Sequence, residues 1–334
     1  MGSRPSQEPS PPTSRPPRDS SPLPRSPGSL EPSQYTAGAR LGTGALGEVF
    51  EATDAQGTRV VLKRLHRHCA ADPDLVDMFR HEARVLAALD HPGVPRLLEL
   101  CPDRGTWMQV LERVEGLDLT QLARRAPELP LALGVEIVRQ LLGALGHVHT
   151  RAYANGPPLQ IVHRDLAPGN VMASRDGVVK LLDFGIATSL WRPDPDRGRM
   201  KGTRGYLSPE AITGEHEVDA RSDLFGVGVL LYELTTRRRL FEGPPVVVMA
   251  AIAEGPTPSP ARDVPGYPPA LDLVVRRALA RVPSLRFESA AAMGHSLEDA
   301  AAVLGLPAAR AELGVFVARI LDGAGGARSS SPPG

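Results

Sequence analysis

The sequence predicts an α+β fold in two unequal lobes, a five-stranded lobe with one helix followed by a mainly helical lobe. Short β-rich segments separated by turn signals crowd the region before about residue 112, and long apolar stretches with helical spacing fill the region after it. At 334 residues the chain is long enough for one large domain or for two lobes around a cleft. Hydrophobic residues make up 42%, and 38 basic against 38 acidic residues give a formal net charge of +0, so no nucleic acid or other polyanion is expected as a partner. Nearly all the basic charge is arginine. The only lysines are Lys63, Lys180 and Lys201, which makes a lysine at a motif position informative.

Residues 1–34 are mostly Pro, Ser, Arg and Glu, with Leu23 and Leu30 the only sizeable apolar side chains. Such a segment buries too little to offset its ordering entropy, so a disordered tail is expected there, its Ser-Pro pairs at Ser10, Ser21 and Ser26 lying in solvent. Order begins near Tyr35. Leu41 to Phe50 reads G-x-G-x-x-G-x-V through Gly42, Gly44, Gly47 and Val49, a turn whose bare backbone can pass close over phosphates. A dinucleotide fold would place a helix next. Val49 to Ala52 reads instead as a strand, followed by a turn at Asp54–Gly57 and a strand over Arg59–Lys63. Asp74 to Leu89 carries an apolar stripe of Leu75, Phe79, Leu86 and Leu89 at helical steps, and Glu82 lies on that stripe. A charge facing a core needs a partner. Two further strands follow, Arg96–Cys101 and Thr106–Arg113, joined at Pro102–Gly105.

In the second part, Leu131–Thr150 is a long apolar helix. Ile161 to Asn170 then places Asp165 and Asn170 five positions apart, in a loop framed by His163-Arg164 and Pro168. Thirteen residues later comes Asp183-Phe184-Gly185, after the strand-like Val178–Leu182. Two carboxylates and an amide are oxygen donors that suit a hard cation beside a base. Asp219 to Leu234 is apolar nearly all round after Asp223, as befits a buried helix, and Ala308–Asp322 forms one more amphipathic helix ahead of a Gly/Ser/Pro tail. No uninterrupted apolar run approaches the roughly 18–20 residues that span a bilayer, and no signal sequence is read. Met1-Gly2-Ser3 fits a myristoylation pattern too short to outweigh chance. Two cysteines, Cys69 and Cys101, form no disulfide framework, so a cytoplasmic protein is expected. His66, His68 and Cys69 cluster without a fourth zinc ligand at a familiar spacing.

The ordered set Gly42–Val49, Val60-Val61-Leu62-Lys63, His163–Asn170, Asp183-Phe184-Gly185 and Gly202-Thr203…Ser208-Pro209-Glu210 resembles the protein kinases. In style it is similar to the bacterial eukaryotic-like (Hanks-type) Ser/Thr kinases of high-GC species such as myxobacteria. The resemblance implies a bilobal protein kinase fold over residues 35–304, with an N-lobe over 35–112, a hinge over 112–118 and a C-lobe over 119–304. Residues 305–334 would be a helix and tail. It implies ATP with Mg2+, or Mn2+ in its place, as cofactors. Asp165 is then the catalytic base, and Lys63, held by Glu82, grips the phosphates. Asn170 and Asp183 are the metal ligands. Leu41, Gly42, Gly44, Gly47, Val49, Val61, Glu112, Val114, Asp118 and Met172 line the nucleotide, with Leu111 as gatekeeper. Asp223 braces the catalytic loop, Arg286 pairs with Glu210, and His163 packs without transferring protons. The implied activity is phosphorylation of Ser/Thr in protein substrates, with autophosphorylation and a regulatory partner protein in a signalling role. The alternative is a pseudokinase scaffold. Two departures stand out. Ala167 occupies the place of the family's γ-phosphate lysine; either Lys201 or Arg204 restores the charge, or turnover is slower. Between Leu190 and Gly202 there is no Ser, Thr or Tyr, which leaves Thr188, Ser189 and Thr203 as sites for the phosphate the family uses, or Asp194 or Asp196 as partners of Arg164 in its place.

Overall fold

The computed structural model describes residues 35–152, 156–189 and 202–326. Lys201, Asp194 and Asp196 lie outside them, as do the two tails. The small lobe is one antiparallel sheet built from β1 (Thr36–Thr43), β2 (Gly47–Thr53), β3 (Arg59–Leu65), β4 (Leu97–Asp103) and β5 (Thr106–Glu112), in the order β1-β2-β3-β5-β4. The β2–β3 turn closes through the Asp54 carboxylate, which accepts from Gln56 N at 2.9 Å and Thr58 N at 2.7 Å. Between β3 and β4 runs α1 (Pro73–Ala88), capped by Asp72, whose carboxylate accepts from Asp74 N at 2.9 Å. One face of the sheet buries Ala52, Val60, Leu62, Met108 and Val110. The other packs Leu65 and Leu100 against Phe79 and Ala83 of α1.

The segment expected as a hinge, residues 112–118, ends in a strand. Its last three residues form β6 (Gly116–Asp118), which pairs with β7 (Val171–Ser174) in a second sheet completed by β8 (Val179–Leu181). Gly116 permits this pairing, because a Cβ there would stand 2.3 Å from Ala173 O. The rest of the large lobe is helical: α2 (Leu119–Arg125), α3 (Leu131–Thr150), α4 (Pro209–Thr213), α5 (Ala220–Thr236), α6 (Pro245–Glu254), α7 (Pro260–Asp263), α8 (Pro269–Ala278), α9 (Ala290–Val303) and α10 (Arg310–Gly326). α3 is long and apolar enough to cross a membrane, yet eleven of its residues are buried inside the lobe, against α5, α9 and α10. α5 is equally enclosed, starting at an Asp219 cap and ending at Arg237 in the left-handed region.

Two features lock this lobe. Arg286 and Glu210, with fully buried side chains, form a bidentate pair at 2.6 and 2.7 Å, and the Ser222 hydroxyl donates to the same carboxylate at 2.6 Å. α10 sinks Leu313 and Val317 completely into the common core, and Glu136 of α3 accepts from Ala309 N at 3.1 Å just ahead of it. The same core takes in Val85, Leu86 and Leu89 from the end of α1 and Val94 beyond it, which anchors the helix of the small lobe in the large one.

Candidate active site

Lys63 points from β3 into the gap between the lobes and is the centre of the site. Its Nζ donates to both carboxylate oxygens of Glu82, at 2.6 and 2.8 Å, and to Asp183 Oδ1 at 2.9 Å. Glu82 is buried on α1, as the sequence stripe requires, and is also held by Gln109 Nε2 at 3.2 Å. Burial alone would favour a neutral lysine. The facing carboxylates of Glu82 and Asp183 outweigh it and raise the Lys63 pKa above the usual lysine range. The Lys63 ammonium in turn, against the opposing effect of desolvation, lowers the Asp183 pKa to about 2. The site therefore holds a cation between two carboxylates: burial pushes the Glu82 carboxyl up against the pull of Lys63, while Asp183 is held low and is half-exposed.

The loop between α3 and β7 is set by Asp223, at the start of the buried α5. Its carboxylate accepts from His163 N at 2.9 Å and Arg164 N at 2.8 Å, and meets His149 Nε2 at 2.7 Å. Desolvation works against ionising Asp223, but His149 and these backbone donors leave its pKa lowered. The brace offsets a real cost, since Arg164 sits at φ 71°, where a non-glycine residue is strained by roughly 1–3 kcal/mol. Asp183 is held likewise at φ 58°. The His163 ring is consumed by structure: Nε2 lies 2.9 Å from Leu182 O, Nδ1 accepts from Asp165 N at 3.3 Å, and the ring stands edge-on to Phe184.

So positioned, Asp165 presents its carboxylate with Oδ2 accepting from Asn170 Nδ2 at 2.8 Å and Oδ1 accepting from Thr203 N at 2.8 Å. Asn170 spends its amide N–H groups on Asp165 and leaves its carbonyl oxygen unengaged; the second oxygen of Asp183 is equally unengaged among the described residues. Both are oxygen donors of the kind a hard divalent cation takes. No group of three His, Cys, Asp or Glu side chains among the described residues forms a cage that would hold a metal alone. Ala167 is buried, and its methyl group brings no charge to the loop.

The residues expected to line a nucleotide lie along β1, β2 and β3, at the end of β5 and on the segment after it, and on β7. β1, carrying Leu41 and Gly42, is exposed along its whole length. Gly44 N donates to Gly47 O at 2.8 Å to close the turn. A Cβ on Gly42 would meet open space, whereas one on Gly47 would stand 2.2 Å from Arg64 O. Gly47 is thus demanded by packing, whereas Gly42 and Gly44 are not. Val49 and Val61 are half-buried on β2 and β3, and Met172 on β7. Glu112 is tied down by Lys180 at 3.0 Å and by Arg96 N at 3.1 Å. Val114 is buried, and Asp118 caps α2 by accepting from Gln121 N at 2.8 Å, a structural task beside the expected ribose contact.

Gln109 and His149 join the site without having been expected from the sequence. The signals for them were an inward polar residue in the apolar strand Thr106–Glu112 and a histidine on the buried side of an apolar helix. The Thr203 contact runs through backbone N–H and leaves no mark in the sequence.

Residues 35–296 match the protein kinase domain family. The chain is 34% identical over 274 residues to the tyrosine-protein kinase MasK of Myxococcus xanthus, a match covering 79% of this chain and 42% of that protein. It is 36% identical over 275 residues to a probable serine/threonine-protein kinase of Streptomyces coelicolor, covering 79% and 39%. To the serine/threonine-protein kinase PknA of Mycobacterium tuberculosis it is 32% identical over 265 residues, covering 77% and 58%. The chain thus spans about two-fifths of the first two relatives and less than two-thirds of the third.

Proposed function

The chain belongs to the protein kinase domain family, and from that premise we propose that it is a protein serine/threonine kinase of broad type, acting on Ser/Thr hydroxyls of protein substrates and on itself. The observation that carries this is the Asp165 carboxylate, held between Asn170 Nδ2 and Thr203 N at 2.8 Å each, across the gap from the Lys63–Asp183 contact. Bound ATP with Mg2+ supplies the activated phosphoryl group and the charge neutralisation its transfer needs. Lys63 grips the phosphates and Glu82 aims it. Asn170 and Asp183 offer oxygens to the metal, and Gly42, Gly44 and Gly47 cover the phosphates from above. Leu41, Val49, Val61 and Met172 wall the base, Glu112 and Val114 meet its edge through backbone groups, and Asp118 takes the ribose. Asp165 orients the acceptor hydroxyl and accepts its proton late in the transfer.

Serine and threonine are favoured as acceptors by the Gly202-Thr203 pair beside Asp165 and by the names of most of the relatives. A tyrosine kinase is the second possibility, resting on the name of MasK. Ala167 supplies no cation, and Arg204, next to Thr203 and exposed, is the described residue assigned to replace it. We assign the tail to residues 1–34, the kinase domain to 35–304 and a packed helix with a tail to 305–334. A cytoplasmic location is included, supported by the two unpaired cysteines, Cys69 and Cys101.

The test is incorporation of label from ATP with Mg2+ by the full chain and by Asp165→Asn, followed by phosphoamino-acid analysis. Labelled Ser and Thr in the wild type alone is the expected result, with Arg204→Ala at least about tenfold slower, a loss of about 1.4 kcal/mol in the barrier. No label in either protein would mark a scaffold, and label on Tyr would move the specificity to the second possibility.

A further inference from the structure

On the small lobe, β2, the end of β3 and the β4–β5 turn enclose a cavity of about 230 Å3 that includes none of the proposed active-site residues in its lining. Four basic side chains face it, Arg64, His66, Arg67 and Arg104, with two acids, Glu48 and Asp103. Both acids already have a counter-charge: Asp103 is ion-paired with Arg64 at 2.5 Å and Glu48 with Arg40 at 2.9 Å. The side chains of Arg67 and Arg104 are exposed and have neither an ion pair nor a hydrogen bond from any described residue. The Thr106 hydroxyl is spent on Leu65 O at 2.9 Å. What remains open toward the cavity is therefore cationic.

Arg104 is also out of place by backbone. It lies at φ 47°, in the turn position where glycine or asparagine would be relaxed. Its guanidinium, without a counter-charge among the described residues, lines the cavity together with that of Arg67. The opposite wall is fixed through His66, whose Nε2 lies 3.1 Å from Gly44 O, whose N–H donates to Leu46 O at 2.8 Å, and whose ring stacks on His68 at 5.1 Å.

We infer that this cavity is a binding site for a phosphorylated serine or threonine of a partner protein. A phosphomonoester carries about −1.5 to −2 charge and three acceptor oxygens, which two open guanidiniums match better than they match the single charge of a carboxylate. The volume lies below the roughly 300–1,000 Å3 of pockets for drug-sized molecules, so it suits one modified side chain rather than a nucleotide. The choice of phosphoserine or phosphothreonine as the bearer rests on the Ser/Thr kinase function proposed above.

The test is calorimetric titration of the full chain, without ATP, with an alanine peptide carrying one central phosphoserine, with its unphosphorylated form, and with inorganic phosphate. The phosphopeptide is expected to bind, and Arg67→Ala and Arg104→Gly each to weaken it at least about tenfold, the scale of one lost charge-assisted contact. Glycine relaxes the φ of Arg104, so the fold is spared; Arg67→Gln with Arg104→Gln repeats the test should the first pair unfold. Equal binding of the unphosphorylated peptide overturns the proposal. So does phosphopeptide binding that survives in a folded double variant. Inorganic phosphate binding as tightly as the phosphopeptide would reduce the cavity to a site for a free ion and likewise overturn it. Label transfer from ATP is read separately, so the two proposals fail independently.

Discussion

Lys63 makes three contacts of 2.6–2.9 Å with two carboxylates, and which carboxylate holds it decides what the site can do. Glu82 is buried and Asp183 is half-exposed, so the former is a fixed partner and the latter is the one that a metal can claim. Replacing Glu82 by Gln keeps the shape and the bond from Gln109 but removes the stronger anchor. Lys63 then stays on Asp183, in competition with Mg2+. The expected outcome is a fall of at least about tenfold in kcat/KM, roughly 1.4 kcal/mol, and a higher Mg2+ concentration for half-maximal rate. Steady-state kinetics across a Mg2+ series would check it; an unchanged Mg2+ requirement would mean that Asp183 does not pass between Lys63 and the metal. The pair was legible through the resemblance to the protein kinases, which supplies Lys63 as the partner of Glu82; on its own, a glutamate on a helix reads as a solvated residue. The support from Gln109 was not legible, because one amide in a buried strand has many ways of being satisfied.

Among the elements, α10 lies beyond the residues that match the family and yet belongs to the core. Two contributions hold it, and their sizes differ. Leu313 is fully buried, and truncating such a leucine costs about 2–5 kcal/mol. Asp322 meets Arg175 at 2.9 Å, but both side chains are exposed, where an ion pair is worth no more than about 1 kcal/mol. Leu313→Ala should therefore lower the urea unfolding free energy by several times as much as Asp322→Ala; equal losses would mean that the helix is held by charge at its rim. The sequence announced this helix by its amphipathic pattern and placed its ends within a few residues. Its seat was hidden. Gly177, at φ 76°, sits so close that a Cβ would stand 2.0 Å from Arg310 O, and nothing in a lone Asp-Gly turn predicts a helix packed against it from the far end of the chain. β6 was missed for a similar reason, since three residues are too few for an alternating pattern and its pairing depends on Gly116 alone.

Across the whole molecule, the lobes are joined by more than the hinge. The segment after α1 returns to α3, where His91 and His147 stack with ring centroids 5.3 Å apart, and Leu181 N donates to Gly93 O at 2.8 Å. Each ring works as an acceptor: His147 Nε2 takes Asp90 N at 3.3 Å and His91 Nδ1 takes Gly93 N at 3.0 Å. Protonation turns both acceptors into donors and sets two cations face to face. The groups around them agree on direction. Burial, His147 and Lys180 lower the His91 pKa, and burial and Arg151 lower that of His147, with Asp90 opposing in both cases. A histidine whose pKa is lowered by folding binds protons more readily when unfolded, so its stabilisation is complete above the ordinary value of 6.5 and is lost as pH falls below it. This inter-lobe contact should thus weaken on the acid side. In the double variant His91→Asn, His147→Gln, each amide oxygen stands in for the accepting ring nitrogen and cannot titrate. Urea unfolding midpoints measured from about pH 7.5 to about pH 5 should fall less steeply for that variant than for the wild type, while the two proteins stay close near neutrality. Parallel profiles would show that the histidine stack does not gate the contact, and the acid response would then belong to the carboxylates.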